Sequence, residues 1–323
     1  MTKKFRMLII ILSVFSVFII FWNLNTGFLK LNFSDFFSSG SAHSEIAQLR
    51  INRILAMLLA GVSIPTSGFL LQEYFQNPLA GPSVLGITSA ASLAVAFYIF
   101  FSQDFLLPEF LQNSFLSFSA IVGSLVLMFI LIGFSGRFQD KSFLIIFGFL
   151  ISALAGAVVS ILQFYADNQS LKNYILWSFG ANNMVSSNQI IILSLLILAG
   201  LILSFKSIKP LIGNSLGSSY AQSFGVNLNA LKYLIIIASS LLSASVTAFL
   251  GPVLFIGIVV PHFCRMIYNP AKLWQQWILN MILGILIMET FSVISEISQL
   301  PLNVITSLFG IPVILTMMIR KRA

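Results

Sequence analysis

Apolar runs long enough to cross a lipid bilayer follow one another along almost the whole chain. The stretches between them are too short to fold as a soluble domain. A spanning helix needs roughly 20 apolar residues at a rise of about 1.5 Å each. Ten such segments are predicted, near 7–22, 54–72, 84–101, 114–134, 143–165, 189–205, 233–250, 253–268, 273–295 and 302–319. Composition agrees: 58% of the residues are hydrophobic and only 8% are charged, too little charge to keep 323 residues in solution. The chain reads as an all-α integral membrane protein, one transmembrane domain over 1–323.

The eighth segment is the weakest, being short and carrying Gly257, Pro261 and His262. Charge argues for counting it. With ten spans and the N-terminus inside, thirteen of the 17 basic residues fall on inner segments, Arg137, Lys141, Arg320, Lys321 and Arg322 among them. Only Lys30, Arg50, Arg53 and Lys172 fall outside. Both termini are therefore expected on the cytoplasmic side. The net charge of +8 is a topology signal here, not a mark of nucleic-acid binding. Lys3, Lys4 and Arg6 open the first run, and bulky Phe21-Trp22 stands where a cleavable leader would have small residues, so that run is read as an uncleaved span.

Two spans run into Pro/Gly-broken segments. The second leads into Asn77-Pro78-Leu79-Ala80-Gly81-Pro82 through Gly86, and the seventh into Gly251-Pro252, then Gly257 and Pro261. Irregular backbone survives in a bilayer only where protein or a water-filled path satisfies its polar groups. The positions match if spans 2–5 and 7–10 form an inverted repeat, a transporter signature. The inner loop at 206–232 carries Leu216, Tyr220, Phe224 and Leu228 at i+4 spacing, an apolar stripe on a short helix, with Gly225 placed to end it. From the pattern alone the stripe either rests on lipid or docks a partner.

No phosphate-binding Gly-x-x-x-x-Gly-Lys-Ser/Thr loop, His-Glu-x-x-His or Gly-x-Ser-x-Gly occurs, so no enzyme is predicted, and any ATP must be hydrolysed by another chain. No metal site is predicted: Cys264 is the single cysteine, and His43 and His262 fall on opposite sides of the membrane. Arg50 and Arg53 would share one face if helical, either docking carboxylates of an external partner or snorkelling to the headgroups. Glu289 is the one acid deep within a span, a candidate for ion coupling or for a hydrogen bond to a neighbouring helix. His262 reads as a packing or capping residue.

Four stretches together carry a family resemblance: Arg50-Ile-Asn-Arg53 with Gly61 and Gly68; Asn77-Pro-Leu-Ala-Gly-Pro82 through Leu85-Gly86; Leu216-Gly217 to Ala221 with Phe224-Gly-Val-Asn227; and Gly251-Pro252, Phe255, Gly257, Pro261-His262 and Arg265. The chain resembles the FecCD-type permeases, membrane subunits of ATP-driven importers for iron–siderophore complexes, haem and vitamin B12. It departs from them at Asn52, Ala90 and Asn303, and it lacks a basic residue late in span 9, where Glu296 stands.

The resemblance implies a ten-span permease in a bacterial cytoplasmic membrane, paired with a second permease as homo- or heterodimer. Leu216, Gly217, Ala221 and Gly225 would form the coupling helix docking into two ATP-binding subunits, which hold ATP and Mg. Asn77, Pro78, Leu79 and Gly86 would lie near the cytoplasmic gate. Arg50 and Arg53 would salt-bridge an external substrate-binding protein. Gly251, Pro252, Gly257, Pro261 and His262 would form a broken span. The alternative is an ion-coupled secondary transporter, which would want more intramembrane ionisable groups than Glu289.

Overall fold

The computed structural model describes residues 3–36, 43–101, 109–136, 141–180, 185–269 and 272–320. Arg137, Lys321 and Arg322, counted above as inner, lie outside them. The described residues are all helical or irregular, with no strand. The helices are α1 (Lys3–Asn25), α2 (Ser44–Phe75), α3 (Ile87–Phe101), α4 (Glu109–Ser135), α5 (Lys141–Tyr165), α6 (Asn168–Ser178), α7 (Ser187–Ser215), α8 (Ser218–Ser223), α9 (Leu228–Leu250), α10 (Ile256–Ile267), α11 (Leu273–Ser298) and α12 (Leu302–Arg320). A 3-10 turn, Phe33–Phe36, lies between α1 and α2.

Each of the ten expected spans contains a helix. Among the described residues eight helices are long and apolar enough to cross a bilayer, whereas α3 and α10 have only 15 and 12 residues. Several boundaries differ from expectation, three of them with a visible local cause. α2 begins ten residues before 54, where Gln48, Arg50, Asn52 and Arg53 bond their side chains within the protein. α10 loses its first residues to an irregular stretch, since Gly251 adopts φ +75° and Phe255 φ +66°. The inner loop expected over 206–232 is mostly helix: α7 continues through Pro210 with Ile208 and Leu211 buried, and the connection shrinks to 216–227.

The inverted repeat is visible as an exchange of partners. α2 packs against α10 and α11, and α9 packs in the same way against α3 and α4. Within each half, α3 touches α4 and α5, as α10 touches α11 and α12. α2 and α9 also meet each other at the centre and are the most buried of the candidate spans, 78% and 72% within their apolar windows. The others keep lipid-facing flanks of Phe, Leu and Ile, which accounts for much of the 32 phenylalanines.

Lipid tails are as apolar as leucine, so close backbone approach and interhelical hydrogen bonds hold the bundle together. A Cβ built on Gly284 would lie 2.0 Å from the Gly61 carbonyl oxygen, and one on Gly68 would lie 1.7 Å from that of Gly257. These glycines let α2 approach α11 and α10 closely. Between α2 and α9, Ser63 and Ser67 donate to the carbonyls of Leu242 and Ser239 at 2.8 and 2.9 Å.

Candidate functional site

Each irregular break lies within its own half, and the first reaches the start of α10 in the other half. The first follows α2. Gln76 takes a left-handed conformation, Asn77 Oδ1 accepts the Leu79 N–H at 3.0 Å, and Gly86 turns the chain at φ +82°. Pro78 and Leu79 are half-buried, while Gly81, Pro82 and Gly86 are buried. The second break, 251–255, precedes α10. Gly251 and Pro252 are buried, and a Cβ on Gly251 would stand 2.6 Å from the Trp177 carbonyl oxygen.

Each break rests on a glycine in the last helix of its own half. A Cβ on Gly148 of α5 would lie 2.7 Å from the Leu85 carbonyl oxygen, and one on Gly310 of α12 would lie 2.4 Å from Phe255 Cβ. The halves touch where a Cβ on Gly257 would meet Pro82 Cδ at 3.1 Å and one on Gly81 would meet Ile258 Cγ1 at 2.8 Å. The turn that follows α2 thus meets the Gly257 end of the expected broken span through Gly81 and Pro82, while Gly251 packs against Trp177 and Gly180. Pro261 is buried in α10 and His262 beside it is half-buried.

A polar cluster closes this locus at one end of the bundle. Arg265, at the end of α10, pairs with the Glu73 carboxylate at 3.4 Å and donates to Gln72 Oε1. Gln72 Nε2 donates to the Ile258 carbonyl at 3.2 Å. Asn214, from the end of α7, donates to the carbonyls of Tyr74 and Glu73 at 3.2 and 3.4 Å. Neither Glu73 nor Asn214 is singled out by sequence reasoning. An acid four residues before Asn77-Pro78 was the available signal for the first; the second had none.

α8 begins four residues after Asn214. It is shorter than the stripe suggests: Leu216 caps α7, Gly217 turns at φ +109°, and Leu228 opens α9. Leu216, Tyr220 and Phe224 are 62%, 63% and 71% exposed, whereas Ala221 is fully buried. Gly225 follows the helix end at φ +77°, the position a C-terminal glycine takes. A groove of about 780 Å³ lies between this connection, α7 and the start of α9.

The opposite end holds Arg50 and Arg53. Both sit on α2 and both turn inward, 5% and 2% exposed. Arg50 donates to the carbonyls of Leu24 and Leu29. Arg53 pairs with Glu296 at 2.8 Å and donates to the carbonyls of Asn23 and Thr26 at 2.6 and 3.0 Å. These guanidiniums hold the α1–α2 connection against the bundle. Glu289, fully buried on α11, accepts from Asn23 Nδ2 at 2.6 Å, the helix-to-helix bond that was one of its two readings. Among the described residues no group of three or more His, Cys, Asp or Glu could hold a metal ion.

With this geometry in place, comparison with known proteins is specific. The profile of the FecCD transport family matches residues 8–320. The hemin transport system permease protein HmuU of Yersinia pestis is 30% identical over 327 residues, covering 98% of this chain and 96% of that protein. The vitamin B12 import system permease protein BtuC of Vibrio vulnificus is 31% identical over 298 residues, covering 88% and 86%. A solved metal-chelate type ABC transporter in an inward-facing conformation superposes with a TM-score of 0.85 at 25% identity, covering 98% of this chain and 99% of that one. The all-helical membrane fold and a family profile spanning nearly the whole sequence agree: the chain belongs to the FecCD transport family of membrane permeases.

Proposed function

We propose that the chain is one of two permease subunits of an ATP-driven importer that moves a chelate of the iron–siderophore, haem or cobalamin class into the cytoplasm. The observation that carries this reading is the contact of the first break with the start of α10, Gly81-Pro82 against Gly257-Ile258, one side from each half of the repeat. Such a junction between inverted halves is where an alternating-access transporter changes shape. The haem and vitamin B12 permeases among the relatives support the cargo class.

Orientation follows from charge. Lys3, Lys4, Arg6, Lys206, Lys209, Lys232, Arg265 and Lys272 gather at the Arg265 end, which is therefore assigned to the cytoplasm, in a bacterial inner membrane. That assignment puts α8 and the 76–86 turn on the cytoplasmic side, as coupling helix and gate. Two partner ATP-binding subunits hold ATP and Mg, because this sequence has no phosphate-binding loop. An external binding protein delivers cargo to the opposite end. There Arg50 and Arg53 shape the surface from beneath through the α1–α2 connection, their terminal guanidinium nitrogens being engaged inside the chain.

The test is uptake into proteoliposomes by the complex purified from its host, with labelled cobalamin, haem and a ferric siderophore offered separately. One of the three is expected to accumulate only with ATP, with or without a proton gradient. Accumulation that follows the gradient and ignores ATP contradicts the reading and favours ion-coupled transport.

A further inference from the structure

We propose that Asn214 is the positioning residue through which α8 acts on the 76–86 turn; this rests on the coupling and gating roles proposed above. The last carbonyls of a helix have no intrahelical donor and must find one elsewhere. In α2 that of Tyr74 finds it on another helix, in the Asn214 carboxamide at 3.2 Å; that of Glu73 accepts from Gln76 Nε2 at 2.6 Å and, more weakly, from the same carboxamide at 3.4 Å. The residues that follow immediately are the left-handed Gln76 and the Asn77 turn. The carboxamide therefore holds the point from which the turn departs.

The other end of the link is the seat of α8. A Cβ on Gly213 would stand 3.1 Å from Val226 Cγ2 and 3.6 Å from both Cα and Cβ of Ala221. Ala221 is the buried foot of α8, and the opposite face, Leu216, Tyr220 and Phe224, is exposed for a partner. Gly213 and Asn214 are adjacent in one continuous helix. A load that tilts α8 on Gly213 therefore displaces the Asn214 carboxamide and, with it, the last turn of α2.

The same turn of α2 is gripped from the far side by the second half of the repeat. Arg265 holds the Glu73 carboxylate, and Gln72 holds the Ile258 carbonyl. Asn214 thus joins the coupling connection to the point where the two halves meet. Leucine has nearly the same size but no donor, so Asn214→Leu removes the link and keeps the packing.

The experiment uses the complex purified from its host with its ATPase, carrying Ser83→Cys in the turn. The native Cys264 is buried, so a membrane-impermeant maleimide reads the introduced thiol. Labelling is timed with and without ATP plus vanadate. With Asn214 present, ATP is expected to change the rate. With Asn214→Leu, and with the smaller Asn214→Ala, that change should fall about tenfold while the ATPase still co-purifies. A full ATP response in both variants overturns the link and leaves the transport reading standing. Loss of the ATPase from the variants also overturns it, by making Asn214 a residue of assembly. No ATP response with Asn214 present overturns the gate assignment of the turn, and the link with it.

Discussion

Arg53 shows how charge is tolerated inside this bundle. Its guanidinium meets one carboxylate and two carbonyls, so burial leaves it paired, although Nε has no partner among the described residues. Breaking a buried pair by neutralising one member strands the other charge, at a cost of about 3–5 kcal/mol. Glu296 keeps some solvent contact at 12% side-chain exposure, which places Glu296→Gln at the lower end, about 3 kcal/mol. A thermal melt in detergent checks this, and an unchanged midpoint would mean that the pair contributes nothing.

Asp167, outside the membrane-spanning helices, gives a pH prediction. The Ser170 N–H at 3.0 Å, with that of Gln169 at 2.9 Å, holds its carboxyl below the usual range. The fold therefore favours the ionised form. Its support for the start of α6 is complete above the ordinary aspartate value of about 4 and is lost as pH falls through the lower folded value. Amide exchange at Gln169 and Ser170, corrected for intrinsic rates, should accelerate below about pH 4. A flat profile would show that the cap is not what holds this helix start.

At the scale of elements, close approach outweighs individual hydrogen bonds. Gly68→Val would drive a side chain into the Gly257 backbone, where a Cβ alone reaches 1.7 Å from the carbonyl oxygen. Overpacking of that kind costs roughly 1–3 kcal/mol or more. Ser63→Ala removes one interhelical bond, at 2.8 Å, and should cost about 0.6 kcal/mol. Unfolding of the two variants side by side checks the order, and a serine effect equal to the glycine effect would reverse it.

The sequence made the long helices legible, because about 20 consecutive apolar residues have few alternatives. It made both breaks legible through Gly and Pro. It found Gly225 at a helix end and Leu216, Tyr220 and Phe224 exposed, but stretched one helix over Leu216 and Leu228, which belong to the end of α7 and the start of α9. It did not reveal α6, whose 11 residues carry too weak a pattern and whose one start signal is Asp167. Nor did it show that Arg50 and Arg53 turn inward. Residues sharing a helical face are readable from spacing, but whether that face meets solvent or the Leu24–Leu29 backbone depends on tertiary contacts.

For the whole molecule, the exchange of partners between α2 and α9 makes two half-bundles joined at the centre. Charge buried within them is tied to neighbours: Glu289 to Asn23, Arg53 to Glu296, Arg265 to Glu73. Groups so engaged suit a scaffold driven from outside better than an ion pathway. Glu289→Gln keeps an acceptor for Asn23 but cannot carry a proton. It should leave uptake and its pH dependence close to those of the unaltered protein, whereas abolished uptake would mark Glu289 as a coupling site.

A permease driven through α8, as proposed, must carry its ATPase with it through purification. The most direct measurement is co-purification in mild detergent from the native host, comparing the unaltered chain with the double variant Ala221→Glu, Gly225→Pro. Ala221 is the buried foot of α8, and Gly225 holds a positive φ that proline cannot adopt. The account predicts an ATPase that accompanies the unaltered chain and is lost from the variant. A chain that purifies alone, or one whose ATPase is indifferent to both substitutions, would contradict it.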